Sequence, residues 1–133
     1  MANWLHGRLQ SLLCARLDHA GLAATGLDLR VSDDLIQVAD IAMYLNAPQG
    51  EFPNAPPYVV VEIVSPGDAQ EPLLSKLESY QTWSVPNIWV VDAKAKTFSV
   101  YRASELAAVA QFELPELKLR ITSENVFAAA NAR

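Results

Sequence analysis

Seven consecutive residues, Tyr58-Val59-Val60-Val61-Glu62-Ile63-Val64, constrain the fold of this chain more than any other stretch. Apolar side chains stand at both parities of the run, so a strand here has both faces covered and lies at the centre of a sheet. Both flanks are punctuated. Asn46 to Pro57 holds Pro48, Pro53, Pro56 and Pro57 together with Gly50, a surface loop that no regular element can occupy, and Ser65-Pro66-Gly67-Asp68 reads as the turn that ends the strand. Glu62 is the exception within the run. A carboxylate between Val60 and Val64 on one strand face is costly if buried unpaired, or it takes up a proton.

The rest of the chain supplies partners for that strand. Between Asn3 and Ala20, leucines at 5, 9, 12, 13 and 17 make one helical face, and Gly21 is placed to stop the helix. Leu27 to Val31 and Leu35 to Leu45 read as strands joined at Ser32-Asp33-Asp34. Pro72 suits the first turn of a second helix that runs to about Trp83. Asn87 to Asp92 and Thr97 to Arg102 form a hairpin around Ala93-Lys94-Ala95-Lys96, with Trp89 expected in the core. Weaker signals place a strand at Leu117 to Ile121 and a helical turn at Ser123 to Ala129. The pattern predicts an α/β fold, a mixed β-sheet flanked by α-helices, in a single domain over residues 1–133.

Composition removes several functional classes. The formal charge of -5, from 10 Lys+Arg against 15 Asp+Glu, has the wrong sign for holding a polyanion by charge alone. No apolar run approaches the roughly 20 residues that span a bilayer, and no secretory signal opens the chain. The lone Cys14 can form no internal disulfide, so a reduced, cytoplasmic location is expected. Nothing reads as a nucleotide-binding loop, a zinc cluster or a Ser-His-Asp set.

Two further residues break the apolar pattern. Asp40 sits in the strand before the loop, where period two gives it Ile36, Val38, Ala42 and Tyr44 as neighbours on one face. If the two strands are adjacent, Asp40 and Glu62 can face one another and share a divalent cation. The alternative is a pair of protonated or hydrogen-bonded core acids. Lys76 falls within the core-facing arc of the second helix, with Leu73, Leu77, Tyr80 and Trp83. A lysine there either snorkels to water along its stem or meets an anion, and Glu62 is the anion at hand. Two acids and a lysine are the minimum equipment for metal-assisted phosphodiester hydrolysis: carboxylate oxygens hold a hard cation, and the ammonium orients a water or offsets developing charge.

The order Ala39-Asp40, Glu62-Ile63-Val64-Ser65-Pro66, Lys76-Leu77-Glu78-Ser79-Tyr80 and Val85-Pro86-Asn87-Ile88-Trp89-Val90-Val91-Asp92 resembles the Uma-type restriction endonuclease family of the PD-(D/E)XK nuclease superfamily. The resemblance runs from His6-Gly7 to about Tyr101. It implies a restriction-endonuclease-like fold, Asp40 and Glu62 as ligands of Mg²⁺ or Mn²⁺, and Lys76 as the catalytic lysine, moved from the usual position two after the acid, which is Val64 here. Ala39 stands where the family has proline, Ser84 where it has glycine and Asn87 where it has glutamate. Family members extend further at the N-terminus with additional acidic residues, and Gln10 is the substitute this chain offers for a third ligand.

The expected function is a metal-dependent endonuclease-like phosphodiester hydrolase acting on DNA. A catalytically degenerate domain of the same fold, serving for dimerisation or interaction, is the alternative, and a hydrolase of small phosphoesters is a third. His6 reads as a packing histidine, and Arg16 as a cation favouring the helix end. Asp92 reads as the start of the hairpin turn, Lys94 and Lys96 as its solvated tip, and Ser65 to Asp68 as a turn by composition, from which the Ser65 hydroxyl and Asp68 could reach the metal. A homodimer is expected because the leucine face of the first helix, with Trp4 and Leu5, lacks an evident cover.

Overall fold

The computed structural model describes residues 3–65 and 70–132; Pro66-Gly67-Asp68, and with them the expectation for Asp68, lie outside the described residues. The chain opens with α1 (Trp4–Ala20), followed by β1 (Leu22–Ser32), β2 (Leu35–Tyr44) and β3 (Val59–Val64). Then come α2 (Gln70–Thr82), β4 (Asn87–Asp92), β5 (Thr97–Arg102) and β6 (Glu105–Val109). The C-terminal part is β7 (Gln111–Leu114), a 3-10 turn (Pro115–Leu117), β8 (Leu119–Thr122) and α3 (Ser123–Ala130). Among the described residues no helix is long and apolar enough to cross a membrane.

Six strands form one mixed sheet in the order β1-β2-β3-β4-β5-β6, and β7 pairs with β8 in a separate two-stranded sheet. Every neighbouring pair is antiparallel except β3 and β4, which run parallel with α2 as their crossover. The apolar run of the sequence therefore lies at the centre, as its double-sided pattern requires: Val59, Val60 and Val61 are fully buried. Its two faces serve two cores. Val59, Val61 and Ile63 pack with Leu9, Leu13 and Leu17 of α1, while Val60 packs with Leu77 and Tyr80 of α2.

Helix α1 starts where the Asn3 side chain accepts the His6 backbone N–H at 2.9 Å. It ends at Gly21, but not through the left-handed conformation usual for a stopping glycine. Gly21 is extended (φ -158°), and a Cβ there would lie 2.9 Å from Met43 Sδ and from the Tyr44 carbonyl. Glycine is required by the close passage of β2.

Four expectations need correction. Strand β1 begins at Leu22 rather than Leu27, because Ala23, Ala24 and Thr25 pair with the apolar end of β2 despite the weak strand propensity of the two alanines. Strand β6 leaves no clear mark in the sequence for the same reason, through Ala107 and Ala108, and β7 is only the four residues Gln111 to Leu114. The strand expected at Leu117 to Ile121 starts at Leu119, after Lys118 turns the chain in the left-handed region. Most consequential, the leucine face of α1 is covered. Leu9, Leu13 and Leu17 have no solvent exposure, and their cluster includes Phe112, Leu114, Ile121, Val126 and Phe127 from β7, β8 and α3. Arg16 does not serve its own helix end but donates to the Arg120 carbonyl at 2.8 Å, tying α1 to that unit. Trp4 is the one large apolar side chain of this helix that stays exposed, at 80%. Trp89 is in the core as expected, stacked on Phe112, which stacks in turn on Phe98.

Candidate active site

Regular alternation along β2 fails at Asp40. Ala39, Ala42 and Tyr44 belong to one core cluster although a strand of period two cannot put 39 and 42 on one face. Ile36 and Val38, expected beside Asp40 on that face, are 53% and 49% exposed. Opposite the slip lies Gly26, at φ +55°, between Thr25 and Leu27, whose partners are Ile41 and Ala39. The pairing register is continuous across this point, and glycine is the residue that takes a left-handed backbone without strain.

The slip changes what Asp40 can reach. Pairing between β2 and β3 runs Met43 with Val59, Ala42 with Val60 and Ile41 with Val61, and stops. The next hydrogen bond is made by a side chain: the Ile63 N–H donates to Asp40 Oδ2 at 2.7 Å. The carboxylate thus sits where the two central strands part, directly before Glu62. From the other side, α1 brings His6 Nε2 to 3.6 Å from Asp40 Oδ2, and Gln10 Nε2 donates to the Asp40 carbonyl at 2.8 Å.

Glu62 is 5% exposed and faces α2. Lys76 Nζ donates to its Oε1 at 2.8 Å and to the Val38 carbonyl at 2.6 Å, and Tyr80 donates its hydroxyl to Oε2 at 3.0 Å. Both residues come from α2, one turn apart on the arc read from the sequence. The Lys76 side chain is 24% exposed, so its ammonium meets the acid rather than snorkelling away from it. Burial pushes the Glu62 carboxyl up to about 7, opposed by the Lys76 charge and assisted by the negative charge of Asp40. Burial, with Glu62 at its hydroxyl, raises Tyr80 far above the ordinary phenol range.

The three residues singled out from the sequence therefore converge at one end of the β2–β3 gap. Gln10, the substitute expected for a third ligand, places its amide nitrogen on the Asp40 carbonyl. Tyr80 and His6 are site residues that the sequence reading passes over, though each carries a findable signal: Tyr80 follows Lys76 by four residues on the same stripe, and His6 precedes Gln10 by four. Asp92 starts the hairpin turn as expected, its Oδ1 accepting from the Lys94 and Ala95 N–H groups. Beyond Val64 on the Glu62 face a cavity of about 410 Å³ opens between α2 and β4–β6, with Asp92, Lys94, Thr97 and Ser99 among its polar lining.

Among the described residues, no three His, Cys, Asp or Glu side chains gather as a metal-holding group. A tetrahedral zinc site, which takes three or four protein ligands, does not fit. Carboxylates such as those of Asp40 and Glu62 are the donor type taken by Mg²⁺ and Mn²⁺, hard ions that keep several waters and take further oxygens from a phosphate substrate.

The six-stranded mixed sheet flanked by helices is the restriction-endonuclease-like fold expected from the sequence. The chain belongs to the Uma2 family, described as "Putative restriction endonuclease", whose family model matches residues 1–130. It is similar in fold to a solved structure from Anabaena variabilis, a "putative nuclease belonging to DUF820", with a TM-score of 0.85 and 19% identity over 98% of this chain and 84% of that one. No curated protein matches the chain.

Proposed function

We propose that this protein is a metal-dependent nuclease that hydrolyses phosphodiester bonds in DNA, with Asp40 and Glu62 holding Mg²⁺ or Mn²⁺ and Lys76 as the catalytic lysine. The observation that carries the reading is Glu62: a central-strand carboxylate, almost fully buried, with both oxygens already gripped by Lys76 and Tyr80 and Asp40 across the strand gap. Such an arrangement is expensive for a purely structural domain. Family membership points the same way.

The bound cation would supply Lewis acidity and a water of lowered pKa. The chain's own residues do the rest. The Ile63 N–H fixes the Asp40 carboxylate, and the Tyr80 hydroxyl fixes Glu62, so the ligand oxygens are placed before substrate arrives. An ammonium has three donors, and Lys76 spends two on Glu62 and the Val38 carbonyl. The third is available for the attacking water or for a phosphoryl oxygen as negative charge develops on it. Cutting both strands of a duplex calls for two such sites, and a homodimer is the assembly proposed. The cytoplasm, where Cys14 stays a thiol, is the proposed compartment.

The formal charge of -5 favours a second reading, a degenerate domain used for interaction, because it opposes approach to DNA. Nicking of supercoiled plasmid with Mg²⁺ or Mn²⁺, and its loss in EDTA, tests the first reading. Asp40→Asn, Glu62→Gln and Lys76→Met should each lower the rate by about 100-fold or more. Hydrolysis of bis(4-nitrophenyl) phosphate without nicking would point to small phosphoesters instead, and inactivity on both to the interaction domain.

A further inference from the structure

Helix α1 touches Asp40 at two places, through the His6 ring and the Gln10 amide. His6 is 9% exposed, with Nε2 3.6 Å from Asp40 Oδ2, while its Nδ1 is buried without a hydrogen-bond partner. Burying an imidazole with one nitrogen unsatisfied is costly, and an apolar side chain would fill the space more favourably. Gln10, one turn later on the same face, donates to the Asp40 carbonyl at 2.8 Å. Asp40 needs such support because side-chain alternation along β2 breaks beside it, and the Ile63 N–H is the one strand hydrogen bond its carboxylate accepts among the described residues.

We propose that His6 and Gln10 are positioning residues: a clamp from α1 that holds Asp40 in the pose in which its carboxylate binds the cation. The inference rests on the metal-site reading above. The Asn3 cap gives the clamp its footing, since it fixes the first turn of α1 through the His6 N–H. His6 flanks the carboxylate at 3.6 Å and Gln10 holds the main chain, so the space open to the Asp40 side chain is restricted from α1. Residues that orient a metal ligand without touching the metal typically change affinity by ~10–100-fold when removed.

The test is Mn²⁺ binding to the full chain at pH 8, read from the free-ion electron paramagnetic resonance signal, with thermal unfolding recorded for every variant. His6→Phe keeps the ring and loses the donor; His6→Gln loses the ring and keeps an N–H near the Nε2 position. Expected is a ~10–100-fold loss in His6→Phe, recovery to within about 3-fold of wild type in His6→Gln, and a ~10-fold loss in Gln10→Ala. A packing role predicts the reverse order for the two His6 variants, and that order overturns the clamp. If His6→Phe does not fold, Gln10→Ala decides, and unchanged affinity there overturns it. Wild type that takes up no Mn²⁺, or Asp40→Asn that binds as wild type does, would instead sink the metal-site reading itself.

Discussion

Lys76 Nζ lies 2.8 Å from Glu62 Oε1, and this pair is the only ion pair between a lysine and a carboxylate among the described residues. It neutralises an acid that the central strand would otherwise bury alone. Lys76→Met should therefore destabilise the protein by on the order of 2 kcal/mol at pH 8, discounted for the partial exposure of the lysine. The penalty should shrink at pH 5, where Glu62 can protonate, and vanish in the double variant with Glu62→Gln. Urea unfolding of the four proteins at both pH values measures it.

The Glu62 carboxyl, held up to about 7 when folded, ordinarily titrates near 4.5. Between those values the folded state binds the proton that the unfolded state releases. Stability of the metal-free protein should thus fall as pH rises from about 4.5 to 7 and level off above, a total on the order of 3 kcal/mol. Glu62→Gln should remove this component of the slope. Thermal unfolding across pH in EDTA would show a flat difference between the two proteins if the assignment is wrong.

Metal binding should oppose that trend, because a ligand carboxylate must be ionised. Saturating Mn²⁺ is expected to raise the melting temperature more at pH 8 than at pH 6. Neither Asp40→Asn nor Glu62→Gln should show the full shift.

Tyr80→Phe removes the hydrogen bond on Glu62 Oε2, one of the interactions that lower the acid's pKa. The acid should then titrate higher. The alkaline-going limb of any metal-dependent activity should move to higher pH, with a stability loss of about 1–3 kcal/mol at pH 8. Coincident pH profiles for the two proteins would show that Tyr80 does not govern the acid.

Gly26 has φ +55°, and nothing lies within 4 Å of the place a methyl group would take, so Gly26→Ala tests backbone strain alone. A cost of about 1–2 kcal/mol is expected. Because Gly26 faces the slip at Asp40, Mn²⁺ affinity should fall as well, which an alanine at the equally open Gly7 should not cause.

Much of the fold and of the candidate site is legible in the amino-acid order. The valines at both parities place β3 in the middle, and the one acid among them marks the site; Lys76 follows from its place on a helical stripe. What the sequence does not convey is the slip at Asp40, because period-two reasoning assumes an unbroken strand, and the assumption misplaces Ile36 and Val38. His6 escapes for a related reason. Its contact with Asp40 spans the layer between α1 and the sheet, and no local pattern records such a meeting. Strand β6 is hidden by its alanines, and β7, four residues from Gln111 to Leu114, is too short to stand out. With them is hidden the cover over Leu9, Leu13 and Leu17, which removes the physical ground for expecting a partner subunit there.

The pairing of β7 with β8 alone has a mechanical consequence. Two strands by themselves are marginal in water, so this small sheet persists only by what it leans on: α1, and the stack in which Phe112 meets Trp89 and Phe98 of the large sheet. Helix α1 is thus a beam loaded at both ends, roofed along its leucines by the C-terminal unit and fastened at its first turns to Asp40. Lifting the roof, as Phe112→Ala would, lets the beam rock. The acid at the far end would loosen although nothing near it had changed.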